Sequence, residues 1–143
     1  MLHLTSFVGE APFEAQKTLV EALPDISVTV DPGMIYARKG LKELGSLIKR
    51  CLVFFPNERE LRLLTGKDYR KGADLLLKKG VKIVAVKLGA KGCYVTDGEE
   101  NHLIEPFKVK VVDTTGAGDA FCAGFLYGII NNRTLRECGI LGN

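Results

Sequence analysis

Residues 111–130 read VVDTTGAGDAFCAGFLYGII. A polar wedge punctuated by glycine, Asp113 to Asp119, lies between an apolar strand-like pair and an apolar run of helical length. Gly116 and Gly118 can take backbone angles closed to other residues, and they stand just before a helix whose first N–H groups have no internal acceptor. Those amides, helped by about half a positive charge from the helix dipole, make a site for an anion such as a transferring phosphoryl group. Asp119 stands at the mouth of that site. There its carboxylate can take a proton from a substrate hydroxyl as the oxygen attacks phosphorus. A plain helix N-cap, worth about 1 kcal/mol, is an equally open reading of Asp119. The dipole favours the ionised acid and so makes it a weak base, which leaves any catalytic role to geometry. Two common nucleotide motifs are absent, because G-x-x-x-x-G-K-[ST] does not occur and G-A-G-D departs from G-x-G-x-x-G.

Working outward, the rest of the chain alternates between the two hydrophobic periods. Helical spacing covers 12–23, closed by Pro24, then 36–50, 57–64, 68–79 with Gly80 as a C-terminal cap, 119–130, and a last helix from Thr134. Strand signals fall at ISVTV (26–30), CLVFF (51–55) and VKIVAV (81–86), the apolar runs of the last two implying cover on both faces. Alternation of this kind predicts a parallel sheet flanked by helices. After Gly89 the pattern becomes a hairpin, GCYVTDG and EENHLIE turning at Asp97-Gly98, followed by a further strand FKVKVV (107–112). Gly124 and Gly128, one turn apart, predict close packing of the 119–130 helix on the sheet.

A length of 143 residues with 46% hydrophobic content suffices for one cored domain spanning 1–143, and no repeat or linker divides it. A net charge of +3, without a basic stripe, argues against a nucleic-acid partner. No apolar run is long enough to span a bilayer, and the N-terminus lacks the charge and apolar pattern of a secretory signal. The four cysteines (51, 93, 122 and 138) have no C-x-x-C spacing and read as reduced, mostly buried thiols, so a cytoplasmic location is expected.

The run DTTGAGDAFCAGF resembles the C-terminal signature of the ribokinase-like (PfkB) carbohydrate kinases. The resemblance implies a Rossmann-type three-layer α/β/α fold, mostly parallel with an antiparallel hairpin portion. It implies an ATP-dependent transfer of the γ-phosphate to an alcohol group, with Mg²⁺ and in some members K⁺. Asp119 then carries over as catalytic base and substrate contact, with Gly116, Ala117 and Gly118 as the anion hole. Asp113 carries over near a monovalent cation or the substrate. Two more elements follow the family's order. FPNERELRLLTG contains N-x-x-E as Asn57 and Glu60, near the triphosphate and, through water, its magnesium; the same spacing also makes a near-capping box. VAVKLGAKGCYV places Lys87, Gly89 and Gly92 beside the ATP phosphates, although a lysine ending a buried strand is also an ordinary solvated terminus. Counting 24 residues from Asp119 places Asn143 in the region near the base.

The resemblance spans about the second half of a typical member. The Gly-Gly signature, most substrate contacts and the β lid of such kinases have no counterpart in residues 1–56, so the chain reads as a fragment, with little or no turnover by itself. The implied partners are ATP and a small sugar or nucleoside; nothing in the residues sets an oligomeric state. Two alternatives stand beside this: a noncatalytic, nucleotide-responsive interaction module, and a pyridoxal or hydroxymethylpyrimidine kinase.

Overall fold

The computed structural model describes residues 1–143. Six strands, β1 (Leu2–Thr5), β2 (Val28–Asp31), β3 (Cys51–Phe54), β4 (Ile83–Lys87), β5 (Cys93–Thr96) and β6 (Asn101–Ile104), form one sheet in sequence order. β1 to β4 run parallel, while β4, β5 and β6 are successively antiparallel. The helices are α1 (Glu10–Ala22), α2 (Gly33–Glu43), α3 (Gly45–Lys49), α4 (Glu58–Thr65), α5 (Tyr69–Lys78), α6 (Ala117–Ile130) and α7 (Leu135–Gly142).

Side chains alternate across the sheet with period two, so consecutive residues of one strand feed two separate cores. Phe54 joins Val30 and Val84 on one face, where Phe13, Tyr36, Ile48, Leu61 and Leu76 bring in α1 to α5. Val53 and Phe55 join Ala85 and Val95 on the other, covered by Phe121 and Phe125 of α6 and Cys138 of α7. Apolar runs at 51–55 and 81–86 are thus covered on both sides, as parallel strands require. The hairpin turns at Asp97-Gly98, with Gly98 at φ 97° and the Asp97 carboxylate accepting from the Glu99 and Glu100 amides. Gly80, at φ 114°, follows the end of α5, and the Val81 amide returns to the Leu76 carbonyl as a Schellman-type closure needs.

Four features depart from the sequence reading. LHLT forms β1, unannounced because four residues carry too little periodicity; it is held by parallel pairing to β2. The helix expected over 36–50 is broken into α2 and α3, with Gly40 at φ 82°, ψ 169° inside α2. FKVKVV forms no strand: Phe107, Val109, Val111 and Val112 are all exposed, and no neighbouring backbone pairs with them. Alternation specifies which face a strand would bury, but the ladder itself needs a second chain segment alongside. Gly124 and Gly128 admit α7, not the sheet. A Cβ on Gly124 would collide with the Leu141 carbonyl, and one on Gly128 would come within 2.8 Å of Cys138 Sγ. Phe121 and Phe125 already take the sheet-facing side of α6.

All four cysteines are free and buried. Burial pushes the Cys93 and Cys122 thiols up to about 12, so neither is a nucleophile at neutral pH.

Candidate active site

Parallel strands of one sheet all end on the same side, and in open α/β folds that side gathers ligand-binding residues. β2 ends at Asp31 and β4 at Lys87, and these two termini meet in an ion pair, Nζ to Oδ2 at 2.5 Å. Both side chains are largely shielded, 13% and 16% exposed. Between them β3 runs into Asn57, which makes an isolated parallel bridge with Lys87, while the Lys87 amide donates to the Pro56 carbonyl. The first turn of α6 closes the group. A Cβ added to Gly118 would lie 3.4 Å from Lys87 Nζ and 4.0 Å from Asp31 Oδ2, and Cys122 Sγ donates to Asp31 Oδ2 across 3.5 Å. Stretches around 31, 57, 87 and 118 are therefore one site.

At the start of α6, Gly116 is the N-cap, in the left-handed region at φ 77°, and no side chain caps the helix. Asp119 is thus not the N-cap; it lies in the first turn, exposed. The Ala117 amide is already bonded to the Thr114 carbonyl, whereas those of Gly116, Gly118 and Asp119 have no acceptor in the protein. Three donors and the positive end of a fourteen-residue helix therefore open beside the Lys87 ammonium. That arrangement suits a phosphate group.

Asn57 and Glu60 form a full capping box on α4. Asn57 Oδ1 accepts from the Glu60 amide and Glu60 Oε2 from the Asn57 amide, both at 2.8 Å. Glu60 is 5% exposed, and burial is the main reason its carboxyl titrates above the ordinary value; the Asn57 amide opposes that shift and the charge of Asp31 adds to it. A carboxyl raised in the folded chain binds its proton more tightly there than when unfolded. Its ionisation opposes folding: the penalty is absent below the ordinary 4.5 and grows as pH rises through the raised value. Glu60→Gln keeps an acceptor for the Asn57 amide, so urea unfolding from pH 4.5 upward should show a smaller loss of stability with rising pH than the parent chain. Identical slopes would remove burial as the dominant influence. Asp68, Asp113 and Glu137, whose values are lowered by hydrogen bonds, act only below their ordinary range; His3, lowered from 6.5, acts inside the window with the opposite sign but in both chains alike, so the difference between them reports Glu60.

The remaining predicted residues are placed as follows. Asp113 is exposed, and its Oδ1 accepts from both the amide and the hydroxyl of Thr115, fixing the turn into the wedge. Gly89 sits at φ 59° with open space where a Cβ would project, in a short 3₁₀ turn over 89–91 that follows β4. Gly92 faces the protein instead, against the backbone leaving β6 at Ile104 to Pro106. Asn143 donates from Nδ2 to the Glu105 carbonyl at 2.7 Å. No group of three or more His, Cys, Asp or Glu is assembled to hold a metal by itself. Sequence reasoning missed Asp31, which ends ISVTVD and reads as part of a Asp-Pro-Gly turn. An acid on the last residue of a parallel strand was the available signal. It also missed His3, whose Nδ1 contacts Thr29 Oγ1 at 2.9 Å and whose burial lowers its pKa.

A helix-covered, mostly parallel sheet with free amides at a helix start beside the carboxyl ends of its strands defines an α/β protein of the kind that gathers ligand-binding residues at that end. Comparison with known sequences makes the class specific. The family model for "pfkB family carbohydrate kinase" matches residues 2–143, and the chain belongs to that family. It is 45% identical over 146 residues to an uncharacterized sugar kinase of Archaeoglobus fulgidus, covering 100% of this chain and 58% of that one. It is 38% identical over 141 residues to a cytidine kinase of Thermococcus kodakarensis, covering 94% and 51%. Among solved structures, a ribokinase from Thermotoga maritima superposes with a TM-score of 0.80 at 31% identity, over 99% of this chain and 46% of that chain. The chain thus spans about half the length of the relatives it matches. No helix is long and apolar enough to cross a membrane.

Proposed function

We propose that this chain supplies the phosphate-handling and proton-accepting part of an ATP-dependent kinase that phosphorylates an alcohol group of a sugar or nucleoside. The observation that carries the reading is the set of free amides at Gly116, Gly118 and Asp119 opening beside Lys87, with an exposed carboxylate on the same turn. The acceptor oxygen forms a bond to the γ-phosphorus, the bridging P–O bond breaks, ADP departs, and the hydroxyl proton passes to Asp119. The amides and the Lys87 ammonium take up the charge on the phosphoryl oxygens. Magnesium, when bound, would offset charge on the phosphates; we assign Glu60 and Asp31 as the carboxylates that would meet its water shell. Asp113, with one oxygen left free by the Thr115 bonds, is the residue proposed for a monovalent cation such as K⁺. The names of the relatives, a sugar kinase, a cytidine kinase and a ribokinase, support a sugar or nucleoside acceptor. The exposed Asp119 favours this reading over a noncatalytic nucleotide-responsive module.

Lys87 has two tasks here: it attracts phosphate and it neutralises Asp31. A bare carboxylate near 4 Å from a phosphate oxygen is repelled by up to about 4 kcal/mol at an effective dielectric of about 20. Lys87→Met should therefore weaken Mg-ATP binding at least tenfold by calorimetric titration, and adding Asp31→Asn should recover most of that loss. Failure of the parent chain to bind ATP would defeat the kinase reading. Binding that survives Lys87→Met unchanged would defeat only the role of Lys87.

A further inference from the structure

Away from this site, on the face of the sheet opposite α6, α2 and α4 lie side by side and border an open groove of about 470 Å³. Its walls follow from helical spacing. Met34 and Arg38 are four apart on α2, and Arg59, Arg62 and Leu63 are three and four apart on α4, so each set shares one helix face. These are the residues that line it, and three of the five are arginines. None of the three makes an ion pair or a side-chain hydrogen bond, as is true of Arg133, Arg136 and most of the lysines; what sets them apart is that all three line one depression. Three guanidinium groups around one depression repel one another, and no carboxylate lies within ion-pair distance of any of them. The missing partner is an anion with several oxygens, for which the planar donor fork of arginine is suited. Met34 and Leu63 add an apolar floor for a carbon body, and the volume is within the range of small-molecule sites.

We propose that this groove is a second binding site, for a small phosphorylated metabolite whose di- or polyphosphate group is held by Arg38, Arg59 and Arg62 and whose organic part rests on Met34 and Leu63. The proposal is independent of the kinase reading. A macromolecular polyanion fits less well, because the neighbouring Lys39 is already neutralised by Glu10. The site has a route to the reaction centre: Arg59 lies on the first turn of α4, between Asn57 and Glu60, so an anion pinning Arg59 also pins the turn that carries the capping box.

Inorganic pyrophosphate is the probe, followed by amide chemical shifts of the ¹⁵N-labelled chain. Saturable shifts are expected at residues 34–38 and 58–63, weakening as salt is raised and weakened at least tenfold in apparent affinity in the Arg38→Gln, Arg59→Gln, Arg62→Gln triple variant, with Arg62→Gln alone showing part of the loss should the triple variant fold poorly. Any response at 116–119 is resolved separately and reports on the α6 site, so either site can fail without the other. Shifts confined to 116–119, no shifts at all, or unaltered affinity in the arginine variants would overturn the second site.

Discussion

On the proposed function, Asp119→Asn is expected to lower kinase turnover by about 10²–10⁴-fold while leaving ATP affinity within a few-fold of the parent value. The substitution is nearly isosteric, Asp119 is exposed and no side chain caps α6, so neither packing nor the start of the helix depends on the carboxylate. The backbone amide of residue 119, one of the three free donors, survives the change. What is lost is the ability to accept a proton. Removing a negative charge beside a phosphate should, if anything, tighten nucleotide binding slightly. Steady-state turnover measured together with nucleotide titration separates the possibilities. An unchanged rate would remove Asp119 from the chemistry; a parallel loss of binding and turnover would make it part of the nucleotide site instead of the base.

How much of this was legible in the residues depended on whether the signal was local. The apolar runs at 51–55 and 81–86 announced buried parallel strands because burial on both faces leaves no polar alternation to read, and Asn57 with Glu60 announced a helix start because a capping box is written within four residues. The wedge at 113–119 announced a helix start with free N–H groups, because a glycine N-cap has no side chain to occupy them. What could not be read was what depends on partners distant in sequence. FKVKVV has the composition of a strand and no edge to join. LHLT has little of that composition and is a strand because β2 lies beside it. Asp31 looked like turn chemistry, and only the parallel register, which sets the ends of β2 and β4 side by side, turns it into the counter-ion of Lys87. Sequence alone leaves the Ala117 amide among the free donors, but the turn through Thr114 uses it.

The two glycines of K-L-G-x-x-G offer the second large effect, because they are needed for different reasons. Gly92 has φ 82° and ψ −131°, a combination effectively reserved for glycine, and a Cβ there would strike the Ile104 carbonyl oxygen and lie 2.9 Å from the Pro106 nitrogen. Backbone cannot rotate out of the way as a side chain can. Gly92→Ala therefore combines backbone strain of about 1–3 kcal/mol with displacement of the segment leaving β6, and is expected to destabilise by about 4 kcal/mol in total, lowering Tm by roughly 10 °C or more. Gly89 lies at φ 59°, where alanine is strained by only about 1–2 kcal/mol, and its Cβ would meet nothing within 4 Å. Gly89→Ala should fold almost as well as the parent. Its methyl group instead enters the open space beside the end of β4, where the nucleotide phosphates are proposed to lie, and should weaken ATP binding severalfold. Thermal unfolding and nucleotide titration of both variants decide the assignment: equal losses of stability would mean that Gly92 is not a packing position, and undiminished ATP affinity in Gly89→Ala would move the phosphates away from this turn.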